Sequence, residues 1–358
     1  MYNIKNVPKS IFLGFDFYGS GNIGDDLMLD GFLRVISSLK NIKIFGFSNW
    51  NVKSQSLRFP SVNWINKNQN IIDFINDSEI ECWAGVGDTP FQLTIGDWFK
   101  NYLNSQLETI KKFSQKIMIN IGVENEICSN LNQFRNIVCS FEKISTRDQQ
   151  SSVILSKIMD FSKQKLYSGA DLANISLFYT LNGKNVEKKY ETCLIICADT
   201  MTKDDIEIIK NYIINKKEKV AFVACETRES KIFEIGVYKN FSMFHFSEIY
   251  RKADLIVPHY SDGSIYDLIY PICANEIVIS TRYHGLLIAA WAGCKVGAIA
   301  RSSKVKTLAN VLNVPCVDLP LTRKKMEYLE SNASKVSQSL LFNLKQQAVD
   351  GVNYALQK

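Results

Sequence analysis

The chain has 358 residues, of which 46% are hydrophobic and 22% charged; this excludes a largely disordered protein and, at about 100–200 residues per domain, predicts two domains that can each bury a core. The formal net charge of +6 favours anionic ligands, but without a long Lys/Arg run it argues against nucleic acid as a partner; Lys216-Lys217 and Arg323-Lys324-Lys325 read as solvated clusters. The nine cysteines are odd in number and lack a CxxC pair, so neither a disulfide framework nor a metal site is expected, and apolar settings such as Cys193-Leu-Ile-Ile-Cys197 imply buried, reduced thiols in a cytoplasmic protein.

In chain order, Ile11–Phe15, Ile42–Phe47, Ile80–Ala84, Ile117–Ile121, Leu194–Ala198, Val220–Cys225, Ile277–Ser280 and Val296–Ala300 are short apolar runs without period-two alternation. They read as strands covered on both faces. The first run meets Asp16 too soon for a signal peptide, and Gly285–Gly293 is too short to span a bilayer. Helical patterns at Asp25–Leu39, Trp98–Phe113, Gln149–Phe161 and Asp204–Lys216 lie between the runs. The alternation predicts an α/β protein with parallel sheets. A polar stretch, Thr180–Glu191, breaks the rhythm and is taken as a linker. It divides an N-terminal Rossmann-like lobe, residues 1–180, from a C-terminal one, residues 190–330. An amphipathic C-terminal helix over residues 331–358 is expected to pack back across the first lobe. Two such lobes facing one another would put a ligand cleft at the carboxyl ends of their strands.

Five motifs follow strands or open helices. Gly19-Ser-Gly21-Asn22-Ile-Gly24-Asp25 has the GxGxxG spacing that lets backbone amides approach an anion at a helix N-terminus. The next strand ends Gly46-Phe-Ser-Asn49, without the acidic residue a dinucleotide requires, and the structural alternative is a tight turn with Asp25 as helix cap. Gly85-Val-Gly87-Asp88 lies at the same sheet edge. In Ser145-Thr-Arg147-Asp148, Arg147 is either a surface arginine beside a capped helix or a fork for a carboxylate or phosphate. Ser280-Thr-Arg282-Tyr283-His284-Gly285 carries the strongest signal, because Arg282 and His284 stand where a helix dipole already favours an anion. Arg301-Ser-Ser-Lys304-Val-Lys306 adds cations at that edge, Lys304 above all. His245 and His259 have no comparable setting.

Together these motifs resemble the polysaccharide pyruvyl transferase family, over roughly Gly14 to Val314. The matching elements are Gly21–Asp25, Ser145–Asp148, Ala170-Asp171-Leu172-Ala173, Arg282–His284 and Lys304. The chain departs from the family's pattern in having Arg-Tyr-His-Gly for Arg-Leu-His-Ala, a reduced Gly85-Val-Gly87, Gly122-Val-Glu124-Asn125-Glu126 for a Gly-x-Gly turn, and Arg301-Ser-Ser before the lysine. The resemblance implies two Rossmann-like lobes similar to the GT-B glycosyltransferases. It implies phosphoenolpyruvate as donor substrate, no cofactor, and a sugar acceptor of a bacterial cell-surface polysaccharide or its lipid-linked precursor, with peripheral contact at the inner face of the plasma membrane. The first lobe would take the acceptor and the second the donor.

That chemistry suits the residues. Arg147, Arg282 and Lys304 are expected to clamp the doubly anionic donor, with Gly21, Asn22 and Gly24 also binding substrate. His284 is the candidate acid for the methylene carbon, and Asp25 or Asp171 the candidate base for a sugar hydroxyl. The alternative enzyme is a GT-B-type glycosyltransferase using a nucleotide sugar, with Glu226 as a candidate ribose partner. A member that has lost catalysis and serves as a scaffold is a third reading.

Overall fold

The computed structural model describes residues 7–39, 41–48, 52–66, 73–75, 79–93, 96–260 and 263–357, the side chains of 242–247 excepted; the side chain of His245 lies outside the described set. The chain folds as two compact units: residues 1–19, 25–176 and 342–358 form one, and 20–24 with 177–341 the other.

The first unit is built on a parallel sheet. Its strands are β1 (Ser10–Leu13), β2 (Lys43–Ser48), β3 (Val62–Asn66), β4 (Cys82–Val86), β5 (Gln115–Ile121), β6 (Lys143–Thr146) and β7 (Lys165–Ser168), in the order β3-β2-β1-β4-β5-β6-β7. The second carries β8 (Tyr190–Ile195), β9 (Val220–Val223), β10 (Ala253–Ile256), β11 (Asn275–Ser280), β12 (Lys295–Ala300) and β13 (Cys316–Asp318), in the order β10-β9-β8-β11-β12-β13. Both orders reverse direction once, between β1 and β4 and between β8 and β11. The strand order of a Rossmann fold thus occurs twice, and each reversal opens a crevice at the carboxyl ends of the strands. The strands β1, β4 and β9 are buried along their whole length, which is why their sequences lack alternation.

Each of the eight apolar runs overlaps a strand, with ends shifted by up to four residues. Five strands left no such run: β3, β6, β7, β10 and β13. Four of these are the outer strands of the two sheets, and an edge strand is covered less completely; β3 buries only Val62 and Ile65 of its five residues. The strand expected at Ile80–Ala84 continues to Val86, so Gly85 is a strand residue, where a Cβ would lie 2.9 Å from the Phe15 ring. The division between the units falls at Ser176/Leu177, inside the helix Ala173–Leu181, earlier than the expected linker. The apolar helix continues across the boundary, so composition does not mark it.

The C-terminal helix, Gln338–Leu356, packs against the first unit as expected. One buried side chain organises that contact. Asn120, on β5, has a left-handed backbone (φ 49°), and its amide donates to the Ala170 carbonyl at 2.7 Å and the Ala348 carbonyl at 2.9 Å. Its carbonyl oxygen accepts from the Ser145 hydroxyl at 2.7 Å. Gly351 faces it, since a Cβ there would lie 2.2 Å from Asn120 Oδ1. Tyr354 stacks on Tyr167 at 5.1 Å between ring centres.

Candidate functional site

In the second unit, the reversal between β8 and β11 brings out the Arg282–His284 motif. β11 ends at Ser280, and the helix Tyr283–Trp291 begins three residues later with Arg282 at its N-cap. His284 therefore stands in the first turn of that helix. Glycine at 285 suits the tight exit: a Cβ there would lie 2.6 Å from the Ser280 hydroxyl. Beside it β12 ends at Ala300, and the helix Ser303–Leu312 follows with Lys304 in its first turn. A cation at a helix N-terminus opposes the dipole. It costs stability unless an anion is to be held there, and two adjacent helices of this unit open in this way.

The cations are not equivalent. The Arg282 fork meets the wholly buried Glu234 carboxylate, Nε to Oε1 at 2.6 Å and Nη2 to Oε2 at 3.2 Å, and its plane lies 5.1 Å from the Phe233 ring centre. Burial by itself would lower the Arg282 pKa, but the Glu234 carboxylate outweighs it and raises it well above the ordinary value. Arg301 is bound on both sides, donating to the Thr281 carbonyl at 2.9 Å and to both carboxylate oxygens of Asp199. It joins the ends of β12, β11 and β8, a structural role that its position in the sequence did not distinguish from that of Lys304.

The glycine-rich loop is placed differently from the expectation. Residues 20–24 belong to the second unit, where Asn22 bridges Glu226 in antiparallel fashion. Thr227 N–H donates to the Gly21 carbonyl at 2.8 Å, and Ile23 N–H to the Cys225 carbonyl at 3.0 Å. Gly21 has φ 112° and no room for a Cβ, which would lie 2.5 Å from the Thr227 hydroxyl. The helix runs from Ile23 to Ile36, and Asn22, not Asp25, accepts the first-turn amide of Gly24 at 3.0 Å. Asp25 stands inside the first turn because the helix begins two residues before the apolar periodicity does. Gly24 packs directly on His284. Glu226, the candidate ribose partner, is buried and held by Arg228 through Nε at 2.8 Å and Nη2 at 2.7 Å.

In the first unit, Arg147 follows β6 and Asp148 caps the helix Gln149–Ser156, accepting the Ser151 amide at 2.7 Å. Arg147 is buried, not a surface arginine. Its guanidinium covers the backbone of Gly122, where a Cβ would lie 2.5 Å from Cζ, and stands 3.7 Å from a carboxylate oxygen of Asp171 and 3.7 Å from one of Asp148. Asp171 is buried as well and accepts the Ala173 amide at 2.9 Å, opening the helix Ala173–Leu181. The structure therefore joins Arg147 and Asp171, which stand in separate sequence elements.

At the reversal between β1 and β4, Tyr18 donates to the Val86 carbonyl at 2.7 Å. Burial, and then the charges of Asp25 and Asp88, push its pKa well up. Asp88 holds a left-handed backbone (φ 60°) beside Gly87 (φ 69°). Burial also raises Asp16, partly offset by a backbone hydrogen bond. Among the described residues no cluster of three His, Cys, Asp or Glu has the geometry to hold a metal ion, and no helix is long and apolar enough to cross a membrane.

A profile of the polysaccharide pyruvyl transferase family matches residues 22–303, a span containing every motif residue except Gly19–Gly21, Lys304 and Lys306. Comparison with curated proteins by sequence finds no match. Among solved structures, the chain is similar to a UDP-GlcNAc 2-epimerase from Neisseria meningitidis bound to UDP-GlcNAc, with a TM-score of 0.65 at 11% identity over 98% of this chain and 99% of that one. A UDP-GlcNAc 2-epimerase from Methanocaldococcus jannaschii gives 0.62 at 11% identity, over 96% and 98%. A glycosyltransferase from Rickettsia africae gives 0.52 at 13% identity, over 97% and 94%. At such identities the likeness establishes the fold, two Rossmann-like units of GT-B type.

Proposed function

The chain belongs to the polysaccharide pyruvyl transferase family, and we propose that it moves the pyruvyl group of phosphoenolpyruvate onto a sugar as a ketal. The acceptor is a sugar of a bacterial cell-surface polysaccharide or of its lipid-linked precursor, reached by peripheral contact with the membrane. The observation that carries the donor assignment is the pair of neighbouring helix N-termini on the second unit, one bearing Arg282 and His284 and the other Lys304. Phosphoenolpyruvate concentrates a phosphate and a carboxylate in a few atoms. Helix amides and cations placed together offset the cost of taking that charge from water.

The residues divide the work by chemistry. Lys304 and the helix amides hold the anionic groups, and Arg282, oriented by Glu234, presents its remaining guanidinium edge. His284 gives a proton to the methylene carbon, C2 becomes electrophilic, and a sugar hydroxyl adds there. A second hydroxyl then displaces phosphate by cleavage of the C2–O bond. Two C–O bonds form, one C–O bond to phosphate breaks, and of the two hydroxyl protons one replaces that given by His284 and the other leaves with phosphate. The candidate base for the acceptor hydroxyl is Asp25 or Asp171, the latter held beside Arg147. The step needs no redox partner.

Substitution of His284 tests this assignment. His284→Ala is expected to keep phosphoenolpyruvate affinity within several-fold while turnover falls by about 10²–10⁴, the usual share of a general acid. Lys304→Ala is expected to weaken donor binding instead. A folded His284→Ala protein with near-normal turnover would remove His284 from the reaction.

A further inference from the structure

We propose that Gly24 is a positioning residue for His284, and that the glycine-rich loop acts on the reaction through that histidine and not as a phosphate cradle. The proposal rests on the role assigned to His284 above. Gly24 sits in the first turn of the helix Ile23–Ile36. Unlike Gly19 and Gly21 it does not have a positive φ, so its backbone does not call for glycine. Glycine inside a helix is less stable than alanine. The reason for it here is space. A Cβ built on Gly24 would lie 1.9 Å from Nδ1 of His284, 2.6 Å from Cε1 and 2.6 Å from Cγ. All three nearest atoms belong to that one imidazole, and all three separations are closer than a stable contact permits.

The surface against which the ring rests is fixed. Asn22 accepts the Gly24 amide at 3.0 Å. The Asn22 carbonyl accepts the Tyr260 hydroxyl at 3.2 Å, and the Gly21 carbonyl accepts the Thr227 amide at 2.8 Å. On the histidine's own helix, the Tyr283 ring stands at 70° to the imidazole with centres 5.2 Å apart. The imidazole therefore lies flush against a helix turn pinned to the residues after β9. A methyl group at position 24 would force it aside without altering any charged group. Gly21 and Asn22, expected to bind substrate, anchor this surface with their backbone carbonyls and the Asn22 side chain.

A melting-temperature cycle and an imidazole spectrum test the contact without substrate. Gly24→Ala is expected to lower the melting temperature by roughly 2–12 °C, the range for overpacking in a domain of this size. In a His284→Ala background the same change is expected to be neutral or slightly stabilising, because the crowding atoms are gone and alanine favours the helix. If Gly24→Ala alone fails to fold, the double variant is expected to fold. Equal losses in both backgrounds, or a double variant that also fails to fold, would overturn the proposal. The chain has three histidines, so the His284 ring resonances are assigned by their disappearance in His284→Ala. They are expected to move in Gly24→Ala, with turnover falling while phosphoenolpyruvate affinity stays within a few-fold. Unmoved resonances, or a loss of affinity with normal turnover, would return Gly24 to substrate binding. Wild-type protein inert toward phosphoenolpyruvate sinks the proposed reaction but leaves the melting cycle and the spectra to decide the contact.

Discussion

The buried pair of Glu234 and Arg282 offers the sharpest test of how the second unit holds its cations. Glu234→Ala removes a carboxylate that is wholly buried and leaves a guanidinium whose side chain is only 15% exposed. The pair is bidentate, at 2.6 and 3.2 Å, so two charge-assisted hydrogen bonds are lost together and little water can replace them. Breaking such a pair from one side costs about 3–5 kcal/mol. With about 2–4 °C per kcal/mol for a unit of 150–250 residues, the melting temperature should fall by roughly 6–20 °C. Replacing both partners by apolar residues, Glu234→Leu with Arg282→Met, should recover most of that loss, since no unpaired charge stays behind. Scanning calorimetry on the three proteins measures both effects. A Glu234→Ala protein melting within about 2 °C of wild type would show that the guanidinium finds water or another partner easily, and Glu234 would then not fix Arg282 for an anion.

Two further perturbations address the frame around the sites. Asn120→Ala leaves the Ala170 and Ala348 carbonyls without their donor and places alanine in a left-handed backbone; a loss of roughly 3–5 kcal/mol is expected by urea unfolding, with Asn120→Gly sparing only the backbone share. A loss below about 1 kcal/mol would contradict its place as the joint for the C-terminal helix. Asp205 has burial opposing its ionisation, yet hydrogen bonds from the Leu321 and Thr202 amides and the Thr202 hydroxyl, with the Lys325 charge, outweigh burial and hold its carboxyl below 3.8. Its contribution is therefore complete above the unfolded value near about 4 and lost as pH falls through the lower folded value. Urea unfolding across that window should show a shallower acid loss in Asp205→Asn than in wild type, and identical slopes would refute the shift.

The sequence carried much of this architecture because the central strands are buried on both faces and so spell uninterrupted apolar runs, with the motifs immediately after them. The outer strands were not legible, since partial exposure lets residues such as those of Lys165–Ser168 read as loop. Partnerships across long separations were also hidden. Nothing local marks Glu234 as the counter-charge of Arg282, or His284 as the reason for glycine at 24. Asn120 did leave a trace: a polar residue inside the apolar run Ile117–Ile121 needs buried partners. The alternative that makes Asp25 the helix cap follows from an apolar pattern that starts after it, whereas Asn22 accepts the first-turn amide. Arg147 was ambiguous for a related reason: a Ser-x-Arg-Asp turn looks the same whether its arginine points to solvent or, as here, covers Gly122.

The donor is the central claim, and ligand-dependent thermal stability addresses it most directly. A specific ligand raises the melting temperature by mass action, and the rise grows with the logarithm of ligand concentration above the Kd. Wild-type protein should be stabilised by phosphoenolpyruvate increasingly with its concentration, much less so in Lys304→Ala, and not by a panel of nucleotide sugars at matched concentrations. Stabilisation by a nucleotide sugar with none from phosphoenolpyruvate would contradict the account and make the chain a nucleotide-sugar enzyme on the same fold.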